Sequence, residues 1–268
     1  MAYSNGKCAV ITGAGSGIGR ALALQLNDEG CELFLSDINP ETLAETATLL
    51  KRPDLFCDQQ TLDVADNAAM QDWAAQVSAS RGAIDILVNN AGVGLTGPAD
   101  ENPYEDIQWL MGINFWGVVH GTRAFLPLLR NSACGHLVNL SSMFGMVGVP
   151  TQSAYNASKF AVRGYSEALR IELQDSNVHV CCVHPGGIKT NIARDSRGGE
   201  GSPEDKDMKF QQMAITSPES AAAQIIKAME KRKKRLLLGL DAKLVTFASW
   251  LAPVSYPKLL GLFIKVDF

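Results

Sequence analysis

Strand-like apolar runs alternate with helix-like patterns along almost the whole chain, and no other feature narrows its fold so far. The runs fall at Cys8–Thr12, Glu32–Ser36, Leu55–Leu62, Ile84–Asn89, His136–Ser141, Val178–Val183 and Arg235–Leu240. Most are continuously apolar, the pattern of parallel strands covered on both faces. Helical patterns fill the gaps at Gly17–Glu29, Pro40–Lys51, Asn67–Ser80, Pro103–Arg130, Thr151–Gln174 and Pro218–Lys231. Repeated βα units with right-handed crossovers predict an α/β fold, a doubly wound seven-stranded parallel sheet with helices on both faces. Pro127, late in the fourth helical pattern, marks a kink or an end.

A chain of 268 residues, 46% hydrophobic, suffices for one domain with a sizeable core. We place that domain at residues 1–240, with a lid-like loop at about 190–217. Its centre, Arg194 to Lys209, is polar and rich in Gly and charge. An apolar tail follows at 241–268. The net charge of −4 gives no electrostatic reason to expect nucleic acid. The six Cys show neither C-x-x-C nor Cys/His metal spacing, so no metal is expected. They read as reduced, mostly buried thiols of a cytoplasmic protein. The first strand starts within ten residues of Met1, leaving no room for a signal peptide. No apolar run reaches the ~18 residues of a membrane span.

The turn after the first strand reads Thr12-Gly13-Ala14-Gly15-Ser16-Gly17-Ile18-Gly19. Glycines there allow a tight turn and close approach to a pyrophosphate, which meets the positive end of the following helix. This is the dinucleotide-binding device of Rossmann-type folds. An ordinary Gly-rich turn is the competing reading of these residues alone. Asp37 ends the second strand, where a carboxylate accepts hydrogen bonds from ribose hydroxyls and repels a 2′-phosphate. Ile38 and Ser16 supply no positive charge for that phosphate, so NAD is favoured over NADP. A cap on the next helix is the alternative role for Asp37, but Asn39 is better placed for it. Arg20 reads as a residue of the exposed helix face, with phosphate contact as its alternative.

Tyr155 and Lys159 stand four residues apart in a helical pattern, hence on one face. An ammonium beside a phenol favours the phenolate and lowers its pKa from about 10. Such a phenol gives and takes protons near neutral pH. By itself the pair also fits an exposed helix pair worth a few tenths of a kcal/mol. Ser142 ends the fifth strand at the edge where open α/β sheets bind ligands. Ser141 would point to the opposite face.

Together, Thr12 to Gly19, Asp63, Asn89-Asn90-Ala91-Gly92, Asn114, Ser142, Tyr155, Lys159 and Pro185-Gly186 resemble the classical short-chain dehydrogenase/reductase family. The resemblance runs from Lys7 to about Gly239. It includes the Gly13-x-x-x-Gly17-x-Gly19 spacing and the thirteen residues from Ser142 to Tyr155. It implies NAD(P)-dependent hydride transfer, with Tyr155 as general acid/base and Ser142 clamping the substrate oxygen. Lys159 would tune Tyr155 and hold the nicotinamide ribose, and Asn114 would hold a water linking Lys159 to solvent. It further implies that Asp63 bonds the adenine amino group with Val64 packed nearby. Asn90, Ala91 and Gly92 would allow close approach, while Asn89 braces the sheet. Pro185, Gly186, Ile188 and Thr190 would wrap the nicotinamide end, and His184 reads as structural. A homodimer or homotetramer is implied by the resemblance alone.

Between Ser142 and Tyr155 lie Met143, Phe144, Met146, Val147 and Pro150, and Val93, Gly94 and Leu95 follow the fourth strand. Lining the cleft, with Phe144 as the chosen contact, they point to a lipophilic secondary alcohol or ketone. Plain core packing is the alternative for each. Lys231–Arg235 reads as a solvated helix end, with an anionic-membrane or nuclear address as alternatives. Leu244, Phe247, Ala248 and Leu251 recur at helical spacing in the tail. They predict a helix packed on the body, a subunit partner or the substrate mouth, with membrane-surface association the lesser alternative. Two further functions stay open: an NADP-preferring carbonyl reductase, and a catalytically silent nucleotide-sensing protein.

Overall fold

The computed structural model describes residues 2–260. The chain runs β1 (Cys8–Thr12), α1 (Gly17–Asp28), β2 (Glu32–Asp37), α2 (Pro40–Thr48), β3 (Phe56–Thr61), α3 (Asn67–Arg81), β4 (Ile86–Asn89), β5 (Leu95–Thr96) and α4 (Tyr104–Met111). It continues through α5 (Gly117–Arg130), β6 (Gly135–Leu140), α6 (Ser153–Glu172), β7 (Val178–Pro185), β8 (Arg197–Gly198), α7 (Pro203–Met213), α8 (Pro218–Glu230), β9 (Arg235–Leu238), α9 (Leu240–Leu251) and α10 (Tyr256–Leu260). Seven strands form one sheet in the order β3-β2-β1-β4-β6-β7-β9, and every pair is parallel. The expected doubly wound sheet is therefore present. Strand order reverses between β1 and β4, which opens a crevice at their carboxyl ends.

Alternation along each strand divides the core in two. Ala9 and Ile11 of β1 join Leu22 and Leu26 of α1 and Ile225 and Met229 of α8 on one face. Cys8 and Val10 join Met70 and Trp73 of α3, Phe125 of α5 and Leu169 of α6 on the other. Trp73 and Phe125 meet edge to face at 5.1 Å, a geometry that adds to their area burial. Within the sheet, Asn89 donates to Asn139 Oδ1 (2.9 Å) and Thr122 Oγ1 (3.2 Å), and Asn139 donates to Ser166 (3.0 Å). These buried amides tie β4, β6, α5 and α6 together.

The fourth helical pattern is not one helix. Between α4 and α5 the backbone makes a π-helical turn, Gly112–Trp116, that contains Asn114. Such insertions recur at functional sites because they redirect side chains out of helical register. Pro127 lies inside α5, which continues to Arg130. The lid-like segment is more ordered than a loop: β8 pairs with β5, and α7 starts with a capping box between Ser202 and Asp205.

The face of α9 buried against the body carries Ala242 and Val245. Leu244 (60%), Phe247 (59%) and Leu251 (64%) are exposed. The apolar stripe thus faces away from the body. Residues 261–268 of the tail lie outside the described residues. The Lys231–Arg235 run is exposed and follows the end of α8 rather than lying in its last turn.

Phe125→Ala should destabilise the fold by about 3–5 kcal/mol. Denaturant unfolding followed by Trp fluorescence measures the loss, and a change under about 1 kcal/mol would contradict the two-layer packing.

Candidate active site

The glycine loop joins β1 to α1. Gly17 has φ +53°, and a Cβ on Gly19 would lie 2.1 Å from the Gly13 carbonyl oxygen. Only glycine permits that self-contact. Ser16 is the N-cap of α1 in extended conformation, and its side chain makes no cap hydrogen bond. The first N–H groups of α1, starting at Gly17 and Ile18, are left to an outside acceptor, which fits a pyrophosphate. Across the crevice, Asn90 Nδ2 donates to the carbonyls of Thr12 and Gly13 (both 3.0 Å). Thr12 Oγ1 accepts from Asn90 N (3.0 Å) and Ala91 N (3.1 Å). The Asn90 amide therefore braces the glycine loop rather than reaching for a ligand, and the Thr12 hydroxyl is a positioning group that sequence reasoning did not single out.

Asp37 lies beside the loop, accepting from Gly15 N (2.8 Å) and Asn39 N (3.0 Å). Asn39 caps α2 by accepting from Thr42 N (2.9 Å), so Asp37 is not that cap. Arg20 is tied to Glu45 and to the carbonyls of Gly15 and Thr42. It is not a free surface residue. Asp63 accepts from Ala65 N (2.9 Å), and Val64 is buried. After β7, the Thr190 side chain comes so near Gly17 that a Cβ there would meet its methyl at 2.9 Å. Ile188 is buried and pairs with Thr216. Pro185 ends β7, and Gly186 just after it donates its N–H to Leu238 O (2.8 Å).

Ser142, Tyr155, Lys159 and Asn114 converge at the carboxyl edge of β4 and β6. Ser142 caps a short helical turn by accepting from Phe144 N (3.1 Å). Ser141 points the other way and donates to Lys159 O (2.8 Å). Lys159 is buried, donates to Leu140 O at 3.2 Å, and lies 5.6 Å from the centre of the Tyr155 ring. Asn114 is fully buried: it accepts from Val93 N (2.8 Å) and donates to Val93 O (3.0 Å) and Ser158 Oγ (3.1 Å). Its side chain clamps the chain after β4. Ser158, which the sequence reading passed over, carries the linkage on to Tyr155 O (2.8 Å). A Cβ on Gly92 would lie 3.2 Å from both Asn114 Oδ1 and Lys159 Nζ, so a small residue is needed there.

The electrostatics of Tyr155 differ from expectation. Burial pushes its phenol up to about 12, with the nearby Ser142 hydroxyl working against the rise. Burial takes Lys159 down to about 8. Lost hydration outweighs the neighbouring ammonium when only protein surrounds the pair. His184 is buried, and its Nδ1 donates to Ser142 O (3.0 Å), since a carbonyl only accepts. Burial lowers its pKa to about 4. Among the described residues no three His, Cys, Asp or Glu form a metal cluster.

A family model described as short chain dehydrogenase matches residues 7–201. The chain belongs to the short-chain dehydrogenase family. A Mycobacterium tuberculosis (strain H37Rv) protein named as the oxidoreductase SadH is 44% identical over 265 residues, covering 97% of this chain and 96% of that one. Among solved members, a short-chain dehydrogenase/reductase from Burkholderia phymatum in complex with NAD is 30% identical. It superposes with a TM-score of 0.79 over 88% of this chain and 90% of that one. Carveol dehydrogenase from Mycobacterium avium in complex with NAD is 27% identical, with a TM-score of 0.80 over 90% and 98% of the two chains. This chain is accordingly an oxidoreductase of a family with NAD-bound members.

Within this short-chain dehydrogenase, several residues around the cleft escaped the sequence reading. Asn156 donates to the carbonyls of Phe144 and Val147 (both 2.7 Å) and accepts from Val149 N (3.2 Å), pinning the segment after Ser142. An Asn one residue after Tyr155, inside a helix, was the available signal. Phe144 meets Tyr155 edge to face at 6.3 Å. Val147 and Leu95 are buried core residues, whereas Met143 and Met146 are half-buried. Arg197 of the lid stacks on Trp109 at 3.8 Å and pairs with Asp106 at 2.7 Å. Tyr256 of α10 accepts from Gly148 N (2.8 Å). These last two contacts join segments remote in sequence, with no local signal.

His184 should remain neutral down to about pH 5. Because its folded pKa lies below the unfolded 6.5, the stability it contributes is present above pH 6.5 and is lost as pH falls toward 4. Imidazole NMR shifts check this, and a midpoint near 6.5 would contradict the burial argument.

Proposed function

We propose that this chain is an NAD-dependent dehydrogenase or reductase acting on a lipophilic secondary alcohol or ketone. The observation that carries the reading is the meeting of buried Ser142 and Lys159 with half-buried Tyr155 beside the crevice. NAD, when bound, accepts or supplies the hydride. Gly13 to Gly19 and the open end of α1 would hold its pyrophosphate. Asp37 would accept from the adenosine ribose, and Asp63 and Val64 would flank the adenine. Gly92, Ile188 and Thr190 would border the nicotinamide.

Tyr155 removes the proton from the alcohol during oxidation and returns it to the oxygen during reduction. Ser142 donates a hydrogen bond to that same oxygen, stabilising the charge it develops. Lys159, already bonded to Leu140 O, keeps further N–H groups for the nicotinamide ribose hydroxyls. Its positive charge favours the phenolate and so offsets the burial that raises Tyr155. Asn114 acts by holding Val93 and Ser158, and thereby the walls around Gly92 and Tyr155. Phe144, Met143 and Met146 make the substrate side apolar, which favours an uncharged substrate. Exposed Tyr104, Trp116 and Phe160 on the helices around Asn114 and Tyr155 support a homo-oligomer.

With purified protein, NAD and a panel of lipophilic secondary alcohols, reduced nicotinamide should accumulate. Tyr155→Phe should lower kcat at least 10³-fold while NAD affinity changes less than about threefold. Turnover retained in that variant would sink the mechanism. Below the phenol pKa, kcat/KM for oxidation should rise with pH while that for reduction stays level and falls only above that pKa, whereas a flat oxidation profile from pH 6 to 9 would contradict Tyr155 as the base. Asp37→Ala should raise the kcat/KM ratio of NADP over NAD at least tenfold, read from cofactor titrations of both forms. An unchanged ratio would remove Asp37 from cofactor choice.

A further inference from the structure

The loop Gly186–Thr190, which the proposed NAD reading assigns to the nicotinamide end, is held by an acidic side chain from outside the β/α core. Asp241, the second residue of α9, accepts from Gly187 N at 2.6 Å. The fit is tight: a Cβ on Gly186 would lie 2.1 and 2.2 Å from the two carboxylate oxygens, and one on Gly239 would lie 2.3 Å from Oδ1. Asp241 Oδ1 is buried and has no hydrogen-bond partner among the described residues. The carboxylate lies in the first turn of α9, where the helix dipole favours negative charge. A short bond from an N–H to a charged oxygen is among the stronger kinds. Two glycines in a row would otherwise leave this backbone loose.

The other ties of the loop are main-chain contacts and one amide. Gly186 N donates to Leu238 O (2.8 Å), Lys189 N to Thr216 O (3.0 Å), Thr216 N to Gly187 O (3.3 Å), and Gln211 Nε2 to Thr190 O (3.2 Å). Asp241 is the only charged group in the set.

We propose that Asp241 is a positioning residue for the nicotinamide half of the cofactor. By fixing the Gly187 N–H it sets the backbone that carries Ile188 and Thr190, and it makes the C-terminal helix part of the cofactor site. This rests on the NAD-binding reading. Asp241 touches neither the glycine loop nor Asp37, so its influence ends at the nicotinamide side.

The test compares NAD with ADP-ribose, which lacks the nicotinamide, by calorimetric titration of the full-length protein. Asp241→Ala should weaken NAD about tenfold, as expected for one lost charge-assisted hydrogen bond, and leave ADP-ribose within twofold. Asp241→Asn keeps an acceptor oxygen toward Gly187 and should recover most of the NAD affinity. If Asp241→Ala does not fold, Asp241→Asn against Asp241→Ser, which is too short to reach Gly187, supplies the same contrast. NAD affinity unchanged in Asp241→Ala overturns the proposal while the NAD reading stands. Equal weakening of both ligands also overturns it, because the residue would then support the whole fold. Wild-type protein that binds neither ligand removes the NAD reading itself, and the proposal with it.

Discussion

A buried ammonium is expensive, and the site is arranged around one. Lys159 loses its water inside α6, and burial alone carries its pKa down to about 8. One carbonyl, Leu140 O, accepts a hydrogen bond from it. Gly92 leaves its flank open, and the Tyr155 ring lies 5.6 Å away. Each neighbour must be a small residue, a carbonyl or a π face, because an uncompensated buried charge costs several kcal/mol. The choice of Gly92 follows from making room for this one group.

Around that centre, buried amides do the positioning. Asn89 and Asn139 lock strands to helices, Asn90 locks the glycine loop, Asn114 locks the chain after β4, and Asn156 locks the segment after Ser142. An amide offers two donors and an acceptor without charge, so it can satisfy a carbonyl and an N–H of the same residue, as Asn114 does for Val93. Apolar packing would not fix a loop to one register so narrowly. The π-helical turn at Gly112–Trp116 is what aims Asn114 at Val93.

The cleft is closed by segments from late in the chain. The lid reaches it through β8 on β5 and through Arg197 on Trp109, while α10 reaches it through Tyr256 on Gly148. These segments carry little core of their own, and long stretches of them remain exposed. Specificity in such a fold resides in parts of this kind, since the sheet and its glycine loop serve many substrates.

The order of β and α units, the parallel sheet and the set Ser142, Tyr155 and Lys159 were legible in the sequence. They follow from hydrophobic period, from glycine spacing and from residues close along one strand end or one helix face, all of which are local. Where the reading departed from the structure, the deciding contacts are long-range. Nothing near Asn114 in sequence says that its amide meets Val93 and Ser158. Likewise, the apolar stripe of α9 is visible in the sequence, but not that it turns away from the body, nor that Asp241 in its first turn meets Gly187, fifty-four positions upstream. The sign of the Tyr155 shift is also a tertiary property. Spacing brings an ammonium near the phenol, but how much water both lose is set by the packing of α6 against β6 and the turn after Ser142.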